Sequence, residues 1–432
     1  MGRKVFLSFL GGSNYNPCQY SFPNGFISPE LRFIQEATLL QLEDIEKWTS
    51  SDVAFILLTD SAKARNWEDN GQKNRDGEII PAEGLGTRLK KAGLNMKIAP
   101  VPNVPECIDA DDIMSLFSLI FNLLEENDEL YLDLTHGYRY MPMLMLVLSS
   151  YSKFLKNVEV KSITYGNFEG VDRNCPVKPV IDLLPLASLL DWTFAAGQYV
   201  KSGNVDELVQ LSNEELTPIL KRSKGQDDSA NKMRYFIKCL TSFIDERRFC
   251  RGKDIILSTA YKNLDESIEK VKTSAIIPAL TPIVQKIRGT FDGLKTTENV
   301  NNGYVAAKWC HENGLYQQAV TILFENIVSE ICIEAGLDWQ NKNDREFIAA
   351  AKTKFLYPEN EVRLPVTENA EEKLQRVMDT SSFKRLIDDY KRLSEIRNNI
   401  NHSGMNDKNL KLYQTKSSLT EIINKCLKTN AD

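Results

Sequence analysis

Five short apolar runs in the first 165 residues, Val5 to Leu10, Val53 to Thr59, Met96 to Val101, Glu129 to Leu134 and Val160 to Tyr165, read as strands. Between them, Ile113 to Glu125 and Met143 to Leu155 carry apolar residues at helical spacing, the pattern of crossover helices on a mostly parallel sheet. This alternation predicts a Rossmann-like α/β fold. After Pro179 the strand signal fades, and Leu183 to Tyr199, Lys232 to Asp245, Ser267 to Lys286 and Gln317 to Ala335 read as helices. A chain of 432 residues exceeds the usual size of one hydrophobic core, so two domains are expected: an α/β domain over 1–180 and an all-α region over 181–432. Lys221 to Asn231 and Pro358 to Asn369 read as connections, and Lys63 to Gly93 as a polar, solvated insertion with no role assigned.

The formal charge of -6 removes any global electrostatic case for tight, nonspecific nucleic-acid binding. RNA contact would need a local basic groove, a small target, or catalysis without high affinity. The eight cysteines (18, 107, 175, 239, 250, 310, 332 and 426) form no Cys-x-x-Cys pair and have no histidine at zinc spacing, so no metal site is expected. They read as buried apolar residues or free thiols of a reducing compartment. The first apolar run breaks at Gly11-Gly12, and the run around Met141 to Leu148 is too short to span a bilayer. A cytoplasmic protein without a membrane span is expected.

In an open α/β sheet the turns leaving the carboxyl ends of strands are where phosphate-bearing ligands sit. Two such turns stand out. The first is Phe9-Leu10-Gly11-Gly12-Ser13-Asn14-Tyr15, where small residues allow close backbone approach and Ser13 and Asn14 offer hydrogen bonds. It is not the Gly-x-Gly-x-x-Gly fingerprint, which disfavours a nicotinamide enzyme. In the second, Asp133 to Pro142, Thr135 can bond a phosphate or ribose, Gly137 permits close approach, Arg139 supplies charge, and Tyr138 or Tyr140 could stack on a base. The structural alternatives are a helix cap for Thr135, a turn for Gly137 and ordinary packing for the tyrosines.

Near the end of the chain a helix begins at Ser381-Ser382, either of which could cap it, and stops near Gly404. It carries Phe383, Leu386, Ile387, Tyr390 and Leu393 on one face, and late in it comes Arg397-Asn398-Asn399-Ile400-Asn401-His402. An arginine and a histidine with an amide beside the arginine can stabilise a developing phosphate charge and move a proton without a metal, which suits RNA cleavage. On an ideal helix Arg397 and His402 differ by roughly 140° around the axis, so one helix presents them poorly together. Two copies packed about a two-fold axis would line one cleft with both pairs. The alternative is a solvated Arg397 and a His402 that merely closes the helix. His311, the remaining histidine besides His136, has no accompanying motif and reads as a surface or capping residue.

Arg397-Asn398-x-x-x-His402 resembles the signature of the HEPN ribonucleases, all-helical domains that carry Arg, a polar residue, and then His. The two N-terminal turns, together with Asn66-Trp67, Tyr165-Gly166 and the run from Asp182 to Trp192, resemble the CARF domain of type III CRISPR accessory ribonucleases. The resemblance implies an N-terminal CARF sensor, a C-terminal HEPN domain, and a homodimer, with further assembly of dimers left open. It implies that cyclic oligoadenylate, a tetra- or hexa-adenylate, binds across paired CARF domains and activates a metal-independent endoribonuclease acting on single-stranded RNA in antiviral defence. Gly11, Gly12, Ser13 and Asn14 would line the pocket with Thr135, His136, Gly137 and Arg139, while Arg397, Asn398 and His402 would be catalytic. The first loop departs from the resemblance, since Gly-Gly-Ser stands where many relatives carry Gly-Thr-Gly, and ring size does not carry over. A non-catalytic nucleotide-sensing regulator and a ring nuclease that degrades its own activator are the competing classes.

Overall fold

The computed structural model describes all residues except 1, 70, 71, 74–78, 107, 108, 169, 171, 173, 174, 273–278, 406–410 and 430–432, and except the side chains of 72, 73, 79, 80, 272, 428 and 429. Cys107 and part of the 63–93 insertion therefore lie outside the described residues. The chain divides into two compact units, Met1–Ser188 and Leu189–Asp432.

In the first unit the strands are β1 (Lys4–Phe9), β2 (Gln19–Ser21), β3 (Val53–Leu57), β4 (Gln72–Lys73), β5 (Ile79–Ile80), β6 (Lys97–Val101), β7 (Glu129–Asp133), β8 (Glu159–Gly166) and β9 (Val177–Asp182). Seven of them form one sheet in the order β2-β9-β8-β7-β1-β3-β6, parallel except where β9 runs against β8; β4 and β5 form a separate antiparallel pair. The mostly parallel sheet expected from the apolar runs is present, and all five predicted strands lie in it. The two strands that the sequence reading did not anticipate, β2 and β9, extend it at one edge.

Parallel strands buried on both faces read as continuous apolar runs, and β1 does so because both its faces are covered. Val5, Leu7 and Phe9 pack with Leu116, Ile120, Met145 and Leu148 from the helices Ala110–Leu123 and Met141–Lys156. Phe6 points the other way, into a layer with Leu39, Leu42, Leu85 and Leu89 from the helices Ile34–Ile45 and Leu85–Ala92. Val5 sits in register with Val53 on one side and Leu130 on the other, which puts β1 at the centre. From there the chain builds outward through β3 and β6, then returns to lay β7 on β1's opposite side. This reversal opens a crevice beyond the carboxyl ends of β1 and β7, where ligands of open α/β sheets bind.

The second unit is helical throughout its described residues. Its core gathers Tyr304, Trp309, Leu323, Ile327, Ile331, Phe347 and Leu386, among others. The predicted helix from Ser267 to Lys286 is two helices, Thr259–Lys272 and Leu280–Arg288, with 273–278 outside the described residues. The helix Ser381–Asn401 buries Phe383, Leu386, Ile387, Tyr390, Leu393 and Ile396 along one stripe. Its cap is Thr380 rather than either serine: the Thr380 side chain accepts from the Phe383 amide at 3.2 Å. The serines are instead held by Glu334, whose carboxylate accepts from the amides of Ser381 (2.8 Å) and Ser382 (2.9 Å). Among the described residues no helix is long and apolar enough to cross a membrane.

Candidate functional site

The crevice of the first unit is shaped by the loop that follows β1. Asn66, buried at 1% exposure, donates through Nδ2 to the carbonyls of Gly11 (2.7 Å) and Ser13 (2.8 Å), and its Oδ1 accepts from Arg32 at 2.7 Å. Arg65 donates to the Gly12 carbonyl at 3.0 Å. One wide helical turn, Lys63–Trp67, thus clamps three successive loop carbonyls. Gly11 is required by close approach, since a Cβ there would stand 2.3 Å from the Tyr15 hydroxyl. The sequence reading left 63–93 without a role; Arg65 and Asn66 correct that, and the Asn66-Trp67 match was the available signal.

The loop after β7 is organised by Asp133, which is fully buried. Its carboxylate accepts from the Ser8 hydroxyl (2.7 Å) and from both the Thr135 hydroxyl (2.5 Å) and the Thr135 amide (3.1 Å). Burial pushes the Asp133 carboxyl above its ordinary range, against the pull of these three donors. The Thr135 hydroxyl also accepts from the Gly166 amide at 2.8 Å. Its proton is therefore spent inside the protein, and it orders the loop rather than offering a donor to a phosphate. His136 lies between the rings of Tyr15 (centroids 4.5 Å apart) and Phe168 (6.3 Å). Burial lowers its pKa to about 4, so at neutral pH it is an uncharged ring packed among its aromatic neighbours rather than a cation that holds an anion.

Gly137 sits at φ +122°, a region that only glycine occupies without strain. Arg139 is exposed and has no hydrogen-bond or ion-pair partner among the described residues, which makes it the cation of this loop. The following helix, Met141–Lys156, starts with no side-chain cap; Pro142 in its first turn has no N–H and the Met141 amide donates to the Tyr138 carbonyl at 2.9 Å, so the start is closed by the backbone itself. Ser13 and Asn14 are exposed at the tip of the first loop. The predicted binding residues thus fall on two loops flanking one crevice. Tyr138 and Tyr140 stack on each other at 5.7 Å and 5°.

In the second unit, Asn398 and His402 are exposed one turn apart at the end of the helix Ser381–Asn401. The His402 amide donates to the Asn398 carbonyl at 3.0 Å, and the Gly404 amide, at φ +71°, closes on Asn399 at 2.8 Å. His402 is the terminal cap residue, and its ring stands in solvent. Arg397 is partly buried: Nη1 lies 3.3 Å from Glu325 Oε1, and the guanidinium sits 4.8 Å from the Phe324 ring centroid. Its Nε is buried and has no acceptor. His311 lies in the helix Asn301–Glu312, packed edge-on against Tyr316 at 5.6 Å and 3.3 Å from the Thr420 hydroxyl, the structural setting expected of it.

The doubly covered, mostly parallel sheet and the two loops at its switch point define an open α/β domain whose loops lie where ligands of such sheets bind. Residues 5–169 match the family model of the CARF domain of the CRISPR system endoribonuclease Csx1, and the first unit contains a CARF domain. The chain is also 24% identical over 326 residues to CRISPR-associated protein MJ1674 of Methanocaldococcus jannaschii. That alignment covers 73% of this chain and 44% of the relative, so the chain spans less than half the length of that protein. Together these findings support a CRISPR-associated protein that contains a CARF domain.

Proposed function

We propose that this protein is an endoribonuclease of type III CRISPR defence, switched on by cyclic oligoadenylate bound at the CARF loops and cutting single-stranded RNA at a HEPN site built from two copies. The observation that carries the reading is the incomplete bonding of Arg397, whose buried Nε has no acceptor, on the same helix end that exposes Asn398 and His402. The guanidinium is only partly enclosed, and its Nη2, with no hydrogen-bond partner among the described residues, is the donor a phosphate oxygen would meet. In the proposed reaction the ribose 2'-oxygen attacks phosphorus, the bond to the 5'-oxygen breaks, and the products are a 2',3'-cyclic phosphate and a 5'-hydroxyl. His402 moves a proton at the 2'-hydroxyl or the leaving oxygen, Arg397 stabilises the phosphate charge, and Asn398 orients the phosphate or the histidine.

A second copy supplies the missing geometry between Arg397 and His402. Support for pairing comes from the helix Met141–Lys156, which exposes Met143 (69%), Val147 (55%), Tyr151 (45%) and Phe154 (86%) at helical spacing. At the sensor, Arg139 meets a phosphate while the neutral His136 ring lines the pocket. The test is product chemistry: RNA incubated in EDTA with cyclic tetra- or hexa-adenylate should yield 2',3'-cyclic phosphate ends. Fragments ending in 3'-hydroxyl and 5'-phosphate would refute the mechanism.

A further inference from the structure

We infer that Glu325 is the positioning residue for Arg397, holding one edge of the guanidinium so that the other is aimed at the scissile phosphate; this deepens and rests on the ribonuclease reading above. The Glu325 carboxylate is shared between two arginines. Oε1 faces Arg397 Nη1 at 3.3 Å, and Oε2 accepts from Arg345 Nη2 at 2.7 Å. Arg345 is itself immobilised: the same nitrogen donates to the Glu325 carbonyl (3.0 Å), and its Nη1 donates to the Ser329 hydroxyl and the Trp339 carbonyl, both at 2.8 Å. Arg345 therefore spends its donors on the fold and fixes Glu325 in place.

Arg397 does not spend its donors. Beneath it, Phe324 stacks on Tyr390 with centroids 4.6 Å apart and planes at 20°, a rigid floor on which the guanidinium rests. With Nη1 turned to Glu325, the edge carrying Nε and Nη2 makes no hydrogen bond among the described residues, and Nε is buried without an acceptor. With Nε enclosed, the Nη2 end is the donor left to meet a phosphate oxygen. A guanidinium free to rotate would have to be ordered during the reaction, whereas one held by Glu325 and Phe324 is ordered beforehand. Glu325 touches no reacting atom in this scheme and acts only through Arg397.

The test is activator-saturated cleavage kinetics of the full chain carrying Glu325→Ala or Glu325→Gln, with thermal melting of each. Glu325→Ala should lower kcat by roughly ten- to a hundredfold with KM within about twofold, as misplacement of a group that acts only in the transition state requires. Glu325→Gln keeps shape and an acceptor oxygen, so it should melt like wild type and recover part of the kcat loss. A well-folded Glu325→Ala protein with wild-type kcat overturns the proposal, as does a loss confined to KM or a Glu325→Gln protein no more active than Glu325→Ala. If wild type cleaves, Arg397→Ala does not, and the Glu325 variants match wild type, this inference alone falls; absence of cleavage by wild type removes the ribonuclease reading with it.

Discussion

Replacing Asn66 by alanine removes three hydrogen bonds at once: two donated to the carbonyls of Gly11 and Ser13 and one accepted from Arg32. Each contributes about 1 kcal/mol net, and although the Asn66 side chain is buried, the carbonyl of the exposed Ser13 can turn to water once released. The first loop should then lose about 2 to 3 kcal/mol of its preference for the closed form. If ligand binding requires that form, Kd for the cyclic oligoadenylate rises by at most roughly thirty- to a hundred-and-fiftyfold, the full factor applying where the closed form is no more than marginally favoured in wild type. Asn66→Asp is the sharper control. It keeps the acceptor for Arg32 but sets carboxylate lone pairs against two carbonyls, so it should bind no better than the alanine variant. Calorimetric titration with cyclic tetra- and hexa-adenylate at fixed salt, beside thermal melting, measures both. Wild-type affinity in both variants would refute the claim that this clamp shapes the binding loop.

His136, with its pKa lowered to about 4 by burial, stays neutral when folded while the unfolded chain protonates near 6.5. Stability should therefore decline as pH falls from about 6.5 towards 4, and melting of His136→Phe should flatten that part of the profile. Arg247 is buried at 2% exposure with Nη1 donating to the Phe243 carbonyl at 2.8 Å, and burial lowers its pKa to about 10. Arg247→Met should raise the unfolding free energy by about 1 to 3 kcal/mol, measured by urea unfolding, because the buried Nε has no acceptor and, among the described residues, no carboxylate forms an ion pair with the guanidinium, Glu246 acting on it only from a distance. Val147→Asp and Phe154→Asp place charges on the exposed apolar stripe and should shift a dimer to monomer in analytical ultracentrifugation, with loss of activated cleavage.

The central strands were readable because burial on both faces forces continuous apolar runs, as in β1 and β7. β9 escaped because Lys178, Pro179 and Asp182 interrupt its apolar pattern while it pairs antiparallel to β8. The helix Ile34–Ile45 was obscured for a different reason: Gln35 and Glu36 are buried by specific partners, Gln35 donating to the Phe9 carbonyl at 2.8 Å and Glu36 pairing with Arg88 at 2.8 Å. Polar groups satisfied at long range break an apolar period that local reading depends on. The same limit hid the clamping role of Asn66, whose two carbonyl acceptors lie more than fifty positions earlier, and Glu325, which stands far upstream of Arg397. Both binding loops and the Arg397 to His402 run were legible as sequence. The commitment of the Thr135 hydroxyl to Asp133 and Gly166 was not, nor was the neutrality of His136, because each depends on burial created by the fold.

The most direct test of the account is cleavage of a fluorogenic RNA in EDTA, with no ligand, cyclic tetra-adenylate, cyclic hexa-adenylate or linear oligoadenylate, by wild type, Arg397→Ala and His402→Ala. The account predicts that one cyclic ring stimulates the wild-type chain, that linear oligoadenylates do not, and that both variants bind the ring but leave the RNA intact. Ring-stimulated cleavage that persists in a folded His402→Ala protein would contradict it.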